Sequence, residues 1–443
     1  MATGPKKLHW TRGEKALFAA SGAVVLLGVL GLVGWQIVNA DPFVNVPTPT
    51  LPNPNAFESF VRAGDALVEG PEIRRALAAD DGVPRGAALP LAQKERLVQA
   101  NALALATLRE GFAHPFHEPP ARSFSHVFPH YTRFRDLGRI LALEGEAKAG
   151  RGDPGGALDS YLDCVYLGQE VPRGGTLIGK LVGLAIVSIG RQPAWEVVPR
   201  LDARQARAGA ARIETISARH VSFADALQEE SWGTQAGLAE ALRKDGARGL
   251  LNTFEGGLRN PDAGGPIPHT VLPSHLRLVF TSKRKILNNY VRFMDQQIAN
   301  AREPFAARLP EPELPDDPVN QLLAPVFGQA RVKDVNSEVQ NALLTVALAL
   351  RAYRAERGRY PERLAELAPE YLKSVPVDPF ALEGPLRYRR TATGYVLYSV
   401  GPDGKDDGGK PIEDAEIGRD RPGRRYAVQG GSRGDIVAGV NIY

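Results

Sequence analysis

From Ala16 to Val38 the chain reads ALFAASGAVVLLGVLGLVGWQIV, without one charged side chain. About 20 apolar residues in a helix cross the roughly 30 Å hydrocarbon core of a bilayer, so residues 16–38 predict one transmembrane helix. Lys6, Lys7, Arg12 and Lys15 precede the run and Asp41 follows it. The positive-inside bias then keeps the leader 1–15 in the cytoplasm and places everything after residue 40 on the other side of a bacterial inner membrane. A cleaved signal peptide has a shorter apolar core, although Val38-Asn39-Ala40 resembles a small-residue cleavage site; the length favours an uncleaved anchor.

Five prolines from Pro42 to Pro54 make residues 39–55 a stiff, extended linker. Beyond it the apolar positions take on helical spacing. Lys94 to Arg109, Phe134 to Ala149, Gly156 to Leu167 and Thr176 to Gly190 are helical runs separated by Gly, Pro and Asp, and residues 56–303 read as an all-α domain. Within it Arg151-Gly152-Asp153-Pro154-Gly155-Gly156-Ala157-Leu158, with Tyr161, is similar to one tetratricopeptide-type hairpin. No second copy follows at the repeat period of about 34 residues, so an irregular bundle is the stronger reading. A Gly/Pro-rich loop spans Arg248 to Pro273, a further helix runs from about Ser274 to Arg302, and residues 304–333 form a second Pro-rich linker.

The last segment, 334–443, changes character. Val335, Val339, Leu343, Val346, Leu350 and Tyr353 recur every three or four residues, one apolar stripe along a long helix. Pro361 opens a short second helix, and Pro376 and Pro379 then enforce extended chain. Leu386 to Arg390 and Tyr395 to Val400 alternate like strands around a Thr391 to Gly394 turn, with a third strand near Asp435 to Ile442. A hairpin alone is marginal in water, so the stripe of the long helix is its natural cover. The whole chain is expected to be multidomain α+β: a transmembrane helix, an all-α body, and a long helix packed on a small antiparallel sheet.

Gly358-Arg359-Tyr360-Pro361, Asp378-Pro379-Phe380, Leu386-Arg387-Tyr388 and Tyr398-Ser399-Val400-Gly401-Pro402-Asp403-Gly404, in this order, resemble the C-terminal part of the major pseudopilin of type II secretion systems. The resemblance covers roughly the last quarter of the chain and implies a pilin-like fold and calcium in the loop after Ser399. Carried over, Ser399 and Asp403 match the family's serine and aspartate, Asp406 and Asp407 are local substitutes, and Asp435 or Asp414 stands for a later ligand. Calcium coordination by six to eight oxygens suits such a carboxylate-rich, glycine-rich loop, and a solvated turn is the alternative. The family's leader peptide and the acidic start of its helix have no counterpart here, which argues against a filament subunit and for a secretion-related or envelope scaffold.

Composition narrows the rest. Against 50 acidic residues stand 54 Lys and Arg, a formal charge of +4 that gives no reason to expect nucleic acid. Cys164 is the single cysteine and falls on the apolar side of a helix, so no internal disulfide is possible and a core position is expected. His114, His117, His126 and His130 fall near Glu118 and could supply zinc ligands, but Pro115, Pro119, Pro120 and Pro129 keep them off one helical face. Glu229 and Glu230 are adjacent and should point apart. Arg419, Arg421, Arg424 and Arg425 could meet anionic lipid or remain solvated. No nucleophile elbow, phosphate loop or dinucleotide fingerprint occurs. The sequence therefore favours a non-enzymatic, membrane-anchored periplasmic protein over a metal-dependent enzyme using the histidines or a peptide-binding helical repeat.

Overall fold

The structure, a computed structural model, describes residues 12–68, 79–80, 83–84, 89–246, 249, 281–307, 309–323, 327–414, 418 and 425–442. In chain order its helices are α1 (Arg12–Asn39), α2 (Ala56–Asp65), α3 (Leu91–Ala100), α4 (Ala102–Gly111), α5 (His130–Gly150), α6 (Pro154–Glu170), α7 (Leu177–Val197), α8 (Ala203–Ser217), α9 (Phe223–Lys244), α10 (Lys283–Arg302), α11 (Pro318–Leu323) and α12 (Phe327–Arg357). The strands are β1 (Ala79–Asp80), β2 (Val83–Pro84), β3 (Arg387–Arg390), β4 (Tyr395–Ser399) and β5 (Ile436–Val437). The described residues are mostly helical, with a small three-stranded antiparallel sheet in the order β3-β4-β5, which is the expected α+β class.

Two compact units divide the chain: Met1–Asn45, Gln235–Phe293 and Leu314–Ala324 in one, Val46–Thr234, Met294–Glu313 and Pro325–Tyr443 in the other. In the smaller unit Asp317 Oδ1 accepts the Asn320 amide (3.0 Å) at the start of α11, and its Oδ2 accepts Asn289 Nδ2 (2.8 Å) from α10. The α1 side chains Val24, Val25, Leu26, Leu27, Leu30 and Leu32 stand exposed. Among the described residues no helix is long and apolar enough to cross a membrane. Of the run 16–38, side chains are described only at 21, 23–34 and 36. The leader residues before Arg12, most of the Arg248 to Pro273 loop, and Arg419, Arg421 and Arg424 lie outside the described residues.

The larger unit is built around closely approaching helices. A Cβ on Gly168 of α6 would meet Gly183 O and Val187 N of α7 at 2.6 Å, and one on Gly183 would meet Gly168 O at 2.5 Å. Glycine therefore sets the spacing of the α6–α7 pair. Two turns along, Gly190 lies as close to Tyr161 O. The run from Lys94 to Arg109 is two helices rather than one, because Asn101 turns the chain, its Nδ2 bonding Leu97 O (2.9 Å) and its Oδ1 accepting the Val68 amide (2.9 Å). Asp153 caps α6 through the Gly156 amide (2.8 Å) and Pro154 takes the first helical position, so the Arg151–Gly156 turn is built as its residues suggest. Cys164 is fully buried, and burial pushes its thiol far up.

One apolar cluster joins α6, α7 and α8 to α12 and the three-stranded sheet: Leu162, Ile213, Leu344, Leu348, Leu397 and Ile436 all belong to it. From Val339 to Leu350 every α12 residue except half-buried Ala342 is buried. The single stripe expected for this helix is thus a helix covered on nearly all sides, its two flanks taken by α8 and the sheet. Leu344, Ala347, Leu348 and Ala349 fill the flank that the stripe omits. Each fully buried Leu or Val contributes about 1.5–3 kcal/mol, so the body and the tail region stabilise one another through α12. The short helix expected from Pro361 is a single 3-10 turn, Leu364–Leu367, held by Glu366 Oε1 on the Glu362 and Arg363 amides.

Candidate functional site

Lys180 lies in the first turn of α7, fully buried, behind the glycine turn Gly174-Gly175. His220 sits in the α8–α9 connection, its amide bonded to Ser217 O (3.1 Å). Asp334 and Glu338 are one turn apart on α12 and so share a face. Lys180 Nζ lies 2.7 Å from Asp334 Oδ1 and 2.9 Å from His220 Nε2, and also donates to Val221 O. His220 Nε2 is in turn 2.9 Å from Asp334 Oδ1 and 3.6 Å from Glu338 Oε1.

His220 Nε2 stands within hydrogen-bond distance of both Lys180 Nζ and Asp334 Oδ1: as Nε2–H it donates to the aspartate, and as a bare nitrogen it accepts from the ammonium, so the tautomer sets which of the two bonds it makes. Burial alone raises the Asp334 carboxyl, but the His220 hydrogen bond and the Lys180 charge outweigh it and hold it below the usual carboxylate range. Glu338 goes the other way: burial and the neighbouring Asp334 push it up against the pull of His220 and Lys180. Two carboxyls on one helix face are therefore driven apart.

His220 borders two clefts. One, about 290 Å³, is lined by His117, Arg173, Gly174, Asp225, Glu229 and Trp232. The other, about 390 Å³, is lined by Glu214, Ser217, Glu338, Asn341 and the extended segment at Pro376 to Pro379. Ser217 Oγ is buried there without a hydrogen-bond partner. Among the described residues His220, Asp334 and Glu338 are the one group of three metal-ligand side chains whose ligand atoms lie within 4.8 Å of one another. The Lys180 ammonium already supplies the positive charge, and a metal ion beside it would be repelled, so the cluster is better described as a buried ion network.

The histidines singled out from sequence are not gathered into one site. His130 Nε2 lies 3.0 Å from Glu118 Oε1, and Tyr131 donates to Glu118 Oε2 (2.8 Å), which closes that carboxylate off in the interior. His117 Nδ1 lies 2.9 Å from Glu118 O and faces the smaller cleft. His126 is exposed against Phe128, and His114 follows the end of α4. Glu229 pairs with Arg122 (3.2 Å), while Glu230 accepts the Leu177 amide (3.1 Å) at the start of α7, so these two do point apart. Sequence reasoning singled out none of Lys180, His220, Asp334 and Glu338; the one local signal was Ser217-x-x-His220 at a helix end, which carries no chemistry by itself.

In the tail, Asp435 is buried and accepts the amides of Gly409 (2.7 Å) and Asp407 (3.3 Å). Burial first, and then the charges of Asp406 and Asp407, push its carboxyl up. Asp406 Oδ1 accepts Tyr398 OH (2.9 Å) and the Gly408 amide (3.0 Å). Ser399 Oγ instead donates to Asp378 Oδ1 (2.7 Å), and Asp403 Oδ1 accepts its neighbour Lys405 N (3.2 Å). Asp435, directly before β5, reaches the loop that carries Asp406 and Asp407 through that loop's amides; Ser399 and Asp403 have their bonds elsewhere. Comparison with known protein families, with curated proteins and with solved structures finds no match to this chain.

Proposed function

We propose that the chain is a non-enzymatic, membrane-anchored protein of the bacterial envelope, held by residues 16–38 with its N-terminus in the cytoplasm. Its helical body and pseudopilin-like tail then act outside the cytoplasm as a scaffold in secretion or envelope assembly. The observation that carries this reading is α1: Val24, Val25, Leu26, Leu27 and Leu30 are 57–69% exposed. Water is a poor solvent for a contiguous apolar surface of this kind, and lipid is a good one. The union of body and tail in one core supports a scaffold, since it gives the tail a fixed mount.

Calcium belongs to the same reading. The crowding of Asp406 and Asp407 on buried Asp435 is a local excess of negative charge that a hard cation relieves. Asp406, Asp407 and Asp435 are the proposed ligands; their oxygens do not all lie within 4.8 Å of one another in this structure, so binding would draw the loop in around the ion.

Cell fractionation tests the anchor. The protein is expected in the membrane pellet after an alkaline carbonate wash, and protease added outside spheroplasts is expected to degrade the body. Recovery in the soluble cytoplasmic fraction would reject the proposal.

A further inference from the structure

The smaller unit carries a basic patch that the anchor alone leaves unexplained. The 28 residues of α1 extend about 42 Å at 1.5 Å per residue, which matches the 40–45 Å or so of a bilayer with its headgroups. Asn39 ends that helix, so Asp41 stands at the level where headgroups meet water. Asp41 Oδ1 holds Lys283 Nζ at 2.9 Å, and this pair, within one unit, fixes the first turn of α10 a side chain's length from the anchor's exit. Ser282 Oγ accepts the Lys285 amide (3.2 Å) and keeps that turn helical.

Asp41 answers one of three consecutive cations. Arg284 and Lys285 are exposed, neither side chain has an acidic partner among the described residues, and the turn holds no acid. The helix itself gives no reason for them, since its positive N-terminal end repels cations. Phe43, two residues beyond Asp41, is 86% exposed, an uncovered ring at the same level. The positive-inside bias does not oppose this placement, because it acts on charges within about 15–20 residues of a span, and folding alone brings residues 283–285 back to it. Resting on the anchored reading above, we propose that the first turn of α10 and Phe43 form a docking surface for anionic phospholipid around the anchor. Arg284 and Lys285 pair with the headgroup phosphates, and Phe43 enters the boundary between headgroups and acyl chains.

Hydrogen–deuterium exchange of the full chain in lipid nanodiscs tests this, comparing discs of phosphatidylcholine alone with discs holding equal parts of phosphatidylglycerol. Each Lys or Arg at an anionic surface gains about fivefold in partitioning, so the Ile286 and Leu287 amides are expected to exchange about fivefold or more slowly in the anionic discs. The Arg284→Gln, Lys285→Gln double variant should erase the difference, and added salt should shrink it. Equal exchange in the two lipids, or a difference that survives the double variant, overturns the proposal. Equal slowing by inorganic phosphate in phosphatidylcholine discs overturns it too, since that marks a site for soluble anions. A chain that fails to enter the discs overturns the anchor and this surface together, whereas one that enters them without discriminating between the lipids overturns the surface alone.

Discussion

Asp334 is the residue on which the buried network turns, because among the described residues it is the one full negative charge paired with Lys180. Its folded carboxyl is held low, whereas the unfolded aspartate titrates near about 3.9. As pH falls the unfolded chain takes up the proton first, so the stabilisation present above about pH 4 is lost as pH drops through the lower folded value. Asp334→Asn should cost about 3–5 kcal/mol at neutral pH by leaving Lys180 buried and unpaired, and should flatten this acid limb in urea titrations. Arg191 is the contrasting case. Burial lowers its guanidinium to about 9, and Nη1 reaches only neutral acceptors, Ser337 and Asn341, with Nε unpartnered. Arg191→Met removes an uncompensated charge at the expense of those acceptors, and its stability in the same titrations should match or exceed the native protein within about 1 kcal/mol. Neither residue could be singled out in the sequence. Lys180, His220 and Asp334 come from three distant segments, and only the α7–α12 packing makes them neighbours, whereas the conspicuous histidines near Glu118 share a stretch of chain without sharing a site.

At the scale of elements, the local signals were the legible ones. The Asp153 cap, the Thr391 to Gly394 turn and the two main strands lie where turn residues and alternation put them. The break at Asn101 was not legible, because the amide side chain that makes it bonds to Val68, far along the chain. The α6–α7 pair depends on Gly168 and Gly183 having no side chain. Gly183→Ala should cost about 1–3 kcal/mol or more in thermal denaturation, since its Cβ would meet backbone and not a movable side-chain tip. The Asp406–Asp407 loop is a further element with its own prediction. Calcium added to the full chain should raise the melting temperature, and the Asp406→Ala, Asp407→Ala double variant should abolish that rise. No shift in the native protein would reject the ion.

At the scale of the molecule, α12 belongs to the helical body as much as to the tail. The sequence suggested a boundary before this helix because prolines cluster at residues 304–333 and a pilin-like unit begins after them. A proline-rich stretch reports backbone stiffness and says nothing of whether the segments on either side bury one another. The sign of joint burial was the run Leu343-Leu344-Thr345-Val346-Ala347-Leu348-Ala349-Leu350, too apolar around its circumference to serve one sheet. A truncation ending at residue 326 should therefore lose the body's cooperative unfolding, bind a dye specific for exposed apolar surface, and be digested by protease throughout; a protected, cooperative fragment would contradict the shared core.

That shared helix also governs how the larger unit bears mechanical load. A tug on the sheet that works along α12 would shear the contacts on both of its flanks at once, instead of peeling the tail away one residue at a time. The tail is keyed into its mount like a tenon, a join that resists tension far better than a flexible tether between two separate lobes.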